Sequence, residues 1–331
     1  MEIFDDLTKV VYDKNTVVTI GTFDGIHVGH KKIIEEVVAK SSFYGGRNFL
    51  ITFEPHPRSI VSEGHKIQIL STLKEKLSLL EFLGIQNVLV IKFTKDFSQL
   101  SAGEFFKRYI IEGIGIREIV VGHDHHFGKG RGGDENKLRE LAKADGFKVS
   151  VVKAVRMDST EVSSTKIRNL LAAGAVRTAN LFLNRYYSFN GKVVIGDKRG
   201  RELGFPTANI ELDNPDKLLP AIGIYAVEFF VKNNNKKYTG VMSIGKRPTF
   251  YNDGKITTEV FIFDFDKNIY GENVTVNVVE RIRGEEKFSS AEELVMQMKK
   301  DVEAGMEILN TPAGSFYNNS ERDSGRQKTH K

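Results

Sequence analysis

Along the first half of the chain, short runs of β-branched and aromatic residues alternate with stretches of helical periodicity. The apolar runs cover 17–20, 49–53, 88–91, 119–121 and 149–152, and helical patterns lie near 29–41, 72–83, 102–112 and 135–145. Continuous apolar strands separated by helices predict a parallel α/β sheet covered on both faces. Ligands of such sheets bind beyond the C-terminal ends of the strands, so motifs at strand exits carry extra weight. Beyond about residue 184 the pattern changes. Segments 186–195, 223–231, 238–244, 257–265 and 273–281 read as strands with no helix between them, and 232–236 (Lys-Asn-Asn-Asn-Lys) reads as a hairpin turn. An antiparallel sheet or small barrel is expected there, followed by a helix over 291–309. A helix over 164–183 joins the halves. The expected division is therefore 1–183, 184–310 and a disordered polar tail over 311–331, rich in Ser, Asn, Gly and charge.

Composition narrows the class. A chain of 331 residues is long enough for two cores, and 40% hydrophobic with 27% charged residues describes a globular protein. The absence of cysteine excludes disulfides, cysteine nucleophiles and thiolate metal sites. An acidic start over residues 1–6 lacks the basic and apolar parts of a signal peptide, and no apolar run reaches membrane-spanning length, so a cytoplasmic location and no membrane partner are expected. The net charge of +5 is partly carried by the tail, where Arg322, Arg326, Lys328 and Lys331 stand against Glu321 and Asp323. What is left is too little for a nucleic-acid surface. Phosphorylated small molecules are the better expectation for partners, with the chain a monomer or weak homo-oligomer.

The run at 17–20 leads into Gly21-Thr22-Phe23-Asp24-Gly25-Ile26-His27-Val28-Gly29-His30 and then a helix. Glycines let a ligand approach the backbone, and a helix start offers free N–H groups and partial positive charge to a phosphate. His27 and His30, three apart in a first helical turn, point the same way. A lone pair of this kind is more often two surface histidines, but strand exit, glycines, paired histidines and helix start coincide here. A second basic helix start, Ser164-Thr165-Lys166-Ile167-Arg168, places cations where only an anion would compensate them. Together the two segments predict an ATP site in which His27, His30 and Arg168 stabilise charge on phosphoryl oxygens. Gly21, Thr22, Phe23, Gly29, Ser164 and Thr165 complete that expected site.

In the second half the densest signal runs from Gly196 to Asn209, with Gly196, Gly200 and Gly204 spaced four apart and Lys198 and Arg201 adding charge. Such a loop can close over phosphates, and Thr207 and Asn209 supply the neutral oxygens that suit Mg²⁺. A carboxylate beside an apolar row is either a positioned base or a group merely exposed at the strand start. Glu259 is the candidate: with period two it shares a face with Phe261, Phe263 and Phe265. That row would set it at a barrel mouth, where partial loss of water makes it a better proton acceptor.

These segments resemble a known family. Gly-x-Phe-Asp-Gly-x-His-x-Gly-His together with Ser-Ser-Thr-x-Ile-Arg looks like the adenylyltransferase half of bacterial riboflavin kinase/FAD synthetases. Phe53-Glu54-Pro55-His56-Pro57-Arg58 narrows the match to the flavin branch. Asp124, Phe127, Gly128 and Asp134 fit a further family segment, in which His125 and His126 replace the commoner aromatic and basic residues. Gly-Arg-x-Leu-Gly-Phe-Pro-Thr-Ala-Asn is similar to the riboflavin kinase signature, and Met242-Ser243 stands where a small residue and Asn are commoner. The resemblance covers roughly 15–309. It implies a Rossmann-like nucleotidyltransferase domain followed by a riboflavin kinase β-barrel with a C-terminal helix. It also implies riboflavin, FMN and ATP as substrates, FAD as product, and magnesium as cofactor. By resemblance, Phe53, Pro55, His56, Pro57, Arg58, Asp124 and Phe127 lie near flavin in the first half, and Arg283 in the second. Gly196, Lys198, Gly200, Arg201, Gly204, Thr207 and Asn209 hold ATP, with Thr207 and Asn209 on the metal, and Glu259 is the catalytic carboxylate.

Overall fold

The computed structural model describes residues 1–62, 67–157, 159–196, 200, 203–232, 236–246 and 256–311. Two compact units divide the chain at Ser164/Thr165, a boundary that gives both helices before the barrel to the second unit.

In the first unit, every strand named from its apolar pattern is present: β2 (Thr16–Ile20), β3 (Arg47–Glu54), β4 (Asn87–Lys92), β5 (Glu118–Gly122) and β6 (Lys148–Val152). A three-residue strand, β1 (Glu2–Phe4), was not foreseen. The sheet order is β1-β4-β3-β2-β5-β6, with every neighbouring pair parallel. Alternation along the strands separates two cores. Val18, Ile20, Phe49, Ile51, Leu89, Ile91, Ile119 and Val121 face one side with Phe105, Phe106 and Ile110. Val17, Leu50, Val88 and Val120 face the other, with Ile34, Val37 and Leu80. Burying each such side chain stabilises the unit by roughly 1.5–3 kcal/mol, which is why both faces are covered by helices.

Helix α1 (Val28–Phe43) follows β2, α2 (Pro57–Val61) follows β3, and α3 (Leu73–Phe82) precedes β4. The helix expected over 102–112 starts as α4 (Ala102–Phe105) and continues with π-type turns over Phe106–Ile114, ending at Gly115. Helix α5 (Glu135–Asp145) matches its pattern, capped by Asp134 through Lys137 N at 2.9 Å. A two-stranded ribbon, β7 (Arg156–Met157) with β8 (Thr160–Glu161), follows β6. Connections run from β2 to β3 on one side, whereas β5 pairs with β2 on the other. The crevice at the C-terminal ends of β2 and β5 is thus the topological switch point.

The second unit corrects the single helix expected over 164–183. There are two, α6 (Ser164–Ala172) and α7 (Val176–Leu183), because Gly174 takes φ +77° between them. Buried Asn180 on α7 donates from Nδ2 to the carbonyls of Val278 (2.9 Å) and Val279 (3.0 Å), and its Oδ1 accepts from Tyr187 N at 2.6 Å.

The antiparallel half closes into a six-stranded barrel, ordered β10-β13-β12-β11-β14-β9. The strands are β9 (Tyr187–Val194), β10 (Thr207–Leu212), β11 (Gly223–Val231), β12 (Lys236–Lys246), β13 (Ile256–Ile262) and β14 (Asn273–Arg283). Closure comes from β10, inside the Pro-Thr-Ala-Asn motif, which was not read as a strand. Phe189, Ile210, Tyr225, Met242, Val260 and Val276 fill the interior. Strand β13 stops at Ile262 rather than at 265, because Asp264 turns at φ +50°. Helix α8 (Ala291–Asn310) follows, capped by Ser290. The expected hairpin tip at 233–235 and the expected disordered tail over 312–331 lie outside the described residues.

Candidate active sites

At the exit of β2 the chain makes a tight, buried turn. Phe23 (φ +46°) and Ile26 (φ +37°), both buried, sit in the left-handed region that bulky side chains avoid. Conformations of this kind persist where neighbours over-determine them. Those neighbours are visible. The Asp24 carboxylate accepts from Leu70 N (2.9 Å) and Ser71 N (2.9 Å), and Gly25 N donates to Ser71 Oγ at 2.8 Å. From the second motif, Ser164 Oγ donates to the Asp24 carbonyl at 2.9 Å. The structure therefore brings Gly21, Thr22, Phe23 and Ser164 to one turn.

His27 is not in the first helical turn, as its spacing suggested. It is the N-cap of α1, its Nδ1 accepting from His30 N at 3.3 Å. The two rings stack at 3.8 Å and 16°, and Phe23 lies 5.1 Å from the His30 ring. With Nδ1 committed as an acceptor, a neutral His27 carries its proton on Nε2, which makes that atom the donor. Gly29 is the second residue of α1. Thr165 and Arg168 continue along α6 within the second compact unit.

The residues expected near flavin divide into two kinds. Pro55 and Arg58 are exposed, and His56 caps α2 by accepting from Arg58 N at 3.2 Å, with Pro57 at the first helical position. Asp124 is exposed and lies 3.9 Å from His123, which pairs with Glu161 at 3.1 Å. Phe53 and Phe127, by contrast, belong to an aromatic column. Phe53 meets Phe93 (5.7 Å) and Phe97 (6.0 Å), Phe97 meets Phe105 (5.9 Å), and Phe105 meets Phe127 (6.4 Å). Phe127 is buried in the core and supports its loop from beneath.

Sequence reasoning passed over the charged residues under the turn. Thr52 Oγ1 donates to the Thr22 carbonyl at 3.2 Å, and Lys76 Nζ donates to Thr52 Oγ1 at 3.2 Å. Burial pushes the Lys76 ammonium below the usual lysine range, against the pull of Asp24 and Glu54. Burial likewise raises Glu54, which Lys76 partly offsets. One signal was available: Lys76 lies four residues before Leu80, on the apolar stripe of its helix.

In the barrel, register assembles the second site. Asn209 on β10 lies opposite Glu259 on β13, which lies opposite Ser243 on β12. Directly paired residues share a face, so these three form one polar row. The alternate residues Thr258, Val260, Met242 and Ile244 are buried inside, so the row lies on the outer face of the wall. Glu259 therefore shares its face with Phe261 as period two requires, but it stands mid-strand on the outer wall and not at a barrel mouth. Thr207 Oγ1 donates to Glu259 Oε2 at 2.9 Å. A hydroxyl that gives its proton to a carboxylate turns its lone pairs outward, the arrangement a cation requires.

Gly196 has a steric reason to be glycine, since an added Cβ would stand 2.1 Å from the Asn209 amide. The Gly200 carbonyl accepts from Leu203 N (3.2 Å) and Phe205 N (2.7 Å), and Gly204 follows at φ +83°. Lys198 and Arg201 lie outside the described residues. Arg283 is occupied: its guanidinium makes a two-pronged contact with buried Asp301 at 2.8 Å and 2.8 Å, and Phe288 covers one face at 5.7 Å. That pair joins β14 to α8, and its signal was an Asp inside an amphipathic helix.

No helix among the described residues is long and apolar enough to cross a membrane. A family described as FAD synthetase matches residues 9–166, and one described as riboflavin kinase matches 183–309. Bifunctional riboflavin kinase/FMN adenylyltransferases are similar over most of the chain. The protein of Listeria monocytogenes is 38% identical over 292 residues, covering 87% of this chain and 91% of its own. That of Bacillus subtilis is 36% identical over 290 residues, covering 86% and 90%. A solved structure described as a macrolide-efflux protein of Streptococcus pneumoniae superposes with a TM-score of 0.82 at 31% identity, over 90% of this chain and 96% of that one. Two units with separate polar sites, each matched by one half of the same two-part relatives, lead to one assignment: the chain belongs to the bifunctional riboflavin kinase/FMN adenylyltransferase family.

Proposed function

We propose that the chain makes both flavin cofactors, phosphorylating riboflavin to FMN on the barrel and transferring AMP to FMN on the sheet unit. In the first reaction the primary alcohol of riboflavin attacks the γ-phosphorus of ATP, Glu259 takes the hydroxyl proton, and ADP leaves. In the second, an FMN phosphate oxygen attacks the α-phosphorus of ATP and pyrophosphate leaves. That nucleophile is already an anion, so the protein supplies alignment and charge stabilisation through His27, His30 and Arg168. What carries the reading is that each unit holds its own site. Glu259 accepts from Thr207 in one, and stacked His27 and His30 stand at a strand exit in the other.

Thr207 and Asn209 would hold Mg²⁺, which would neutralise charge on the ATP phosphates; the outward lone pairs of Thr207 and the amide of Asn209 fit such a hard cation. Gly21, Thr22, Phe23, Gly29 and Ser164 of the sheet unit, with Thr165 at the start of α6, frame ATP for adenylyl transfer. Pro55, His56, Pro57, Arg58 and Asp124 form the flavin side, backed by Phe53 and Phe127. Gly196, Lys198, Gly200, Arg201 and Gly204 loop over the kinase ATP. Arg283 contributes to flavin binding through the segment it holds in place. We place the functional division at 183/184 and the protein in the cytoplasm as a monomer or weak homo-oligomer. Incubating the protein with riboflavin, ATP and Mg²⁺ should give FMN, then FAD and pyrophosphate, resolved by chromatography. Neither product forming would overturn the proposal.

A further inference from the structure

The best-buried lysine among the described residues of the sheet unit has no part in either reaction as described above. Lys76 on α3 is only 4% exposed, at a position where the helix stripe calls for an apolar residue. A buried ammonium forfeits its hydration, and a residue such as Met would pack there without that cost. Its surroundings show what the charge does. Nζ donates to Thr52 Oγ1 on β3 (3.2 Å), and the same hydroxyl donates to the Thr22 carbonyl in the turn after β2 (3.2 Å). The charged groups facing it are Asp24, from that turn, and Glu54, from the end of β3. Glu75, on its own helix, is committed to capping Thr72 N at 3.0 Å. Asp24 in turn holds the chain just before α3 by accepting from Leu70 N and Ser71 N. Helix, strand and turn are thus tied around one cation.

We infer that Lys76 is a positioning residue for adenylyl transfer. Its ammonium, through Thr52 and between Asp24 and Glu54, holds the strand-exit turn in the shape that presents His27 and His30 to the nucleotide. The inference rests on the reading of the sheet unit as the FMN adenylylation site. Losing the proton from Lys76 would leave two carboxylates near the turn with no cation between them. Because burial lowers the proton affinity of Lys76, that loss comes at a less alkaline pH than for a free lysine. Lys76→Met relieves the cost of a desolvated ammonium but strips its charge from buried Asp24 and from Glu54, so the sheet unit should melt lower than in wild type.

The test measures FAD formation from supplied FMN across pH for the full chain, with riboflavin phosphorylation and thermal midpoint alongside. Wild type should form FAD with kcat/KM for ATP declining on an alkaline limb. No FAD from wild type would remove the reading of the site and this inference together. Lys76→Met should lose at least about tenfold in kcat/KM for ATP, and the limb should vanish while riboflavin phosphorylation stays as in wild type. Activity within about twofold of wild type, or a loss that leaves the limb in place, would overturn the inference while the site reading stands. Should Lys76→Met not fold, Thr52→Val decides. Keeping the charge but cutting the relay, it should raise KM for ATP several-fold and retain the limb, and a wild-type KM would overturn the inference.

Discussion

On the proposed reading, the two units handle a nucleotide in opposite ways. In the sheet unit the site grows from backbone: a strained turn at a strand exit, a helix start and two stacked imidazoles, with carboxylates kept beneath as anchors. In the barrel it grows from side chains: a cross-strand row in which a threonine, an asparagine and a serine surround one carboxylate. The difference follows the nucleophile. An anionic phosphate needs no base and only donors aimed at developing charge, whereas a neutral alcohol needs a proton acceptor within reach.

That contrast can be broken most sharply at Glu259. Glu259→Gln should lower FMN formation from riboflavin by about 10²–10⁴-fold, and FAD formation from supplied FMN should persist. Loss of both would count against two separate sites. His30→Ala, assayed for pyrophosphate release, should depress FAD formation by about 10²–10³-fold and spare riboflavin phosphorylation. A smaller, structural effect is expected at the seam between β14 and α8. Asp301→Ala strands the Arg283 guanidinium in a largely buried place, which should cost the barrel about 3 kcal/mol. Denaturant unfolding followed by circular dichroism would read it, since the chain has no tryptophan to report by fluorescence. An unchanged midpoint would mean the pair adds nothing.

The smallest effect concerns acid stability of the sheet unit alone. Burial works against ionisation of Glu118, but hydrogen bonds from Ser150, Lys40 and Tyr44 outweigh it and hold the carboxyl below its ordinary 4.5. A carboxylate depressed on folding contributes stability that is present above its unfolded value and lost as pH falls through the folded one. Glu118→Gln should therefore flatten the loss of stability on acidification below about 4.5. Unfolding curves at neutral pH and in that acid window would test it. Barrel variants should not alter this profile.

Much of the molecule was legible because burial on two faces leaves continuous apolar strands. Thus 17–20, 49–53 and 88–91 could be placed, while the three-residue Glu2–Phe4 is too short to carry a period. The turn motif and the kinase signature were legible as candidate sites because their signal is local. What escaped was relational. His27 became a cap once its Nδ1 met His30 N, and Glu259 became mid-row once β10 proved to be a strand. Arg283 found Asp301, and Lys76 found Thr52, across elements that no spacing connects.

By itself, then, the order of residues determined the two kinds of domain, their sequence and the segments proposed to carry chemistry. Hydrophobic period and local turn chemistry act over only a few neighbours, and that is all they need. Which face of β13 carries its carboxylate, how the barrel closes, and which charges lie under the turn after β2 were decided by strand register and helix docking. Those are contacts between distant parts of the chain, fixed only when competing burials are settled together.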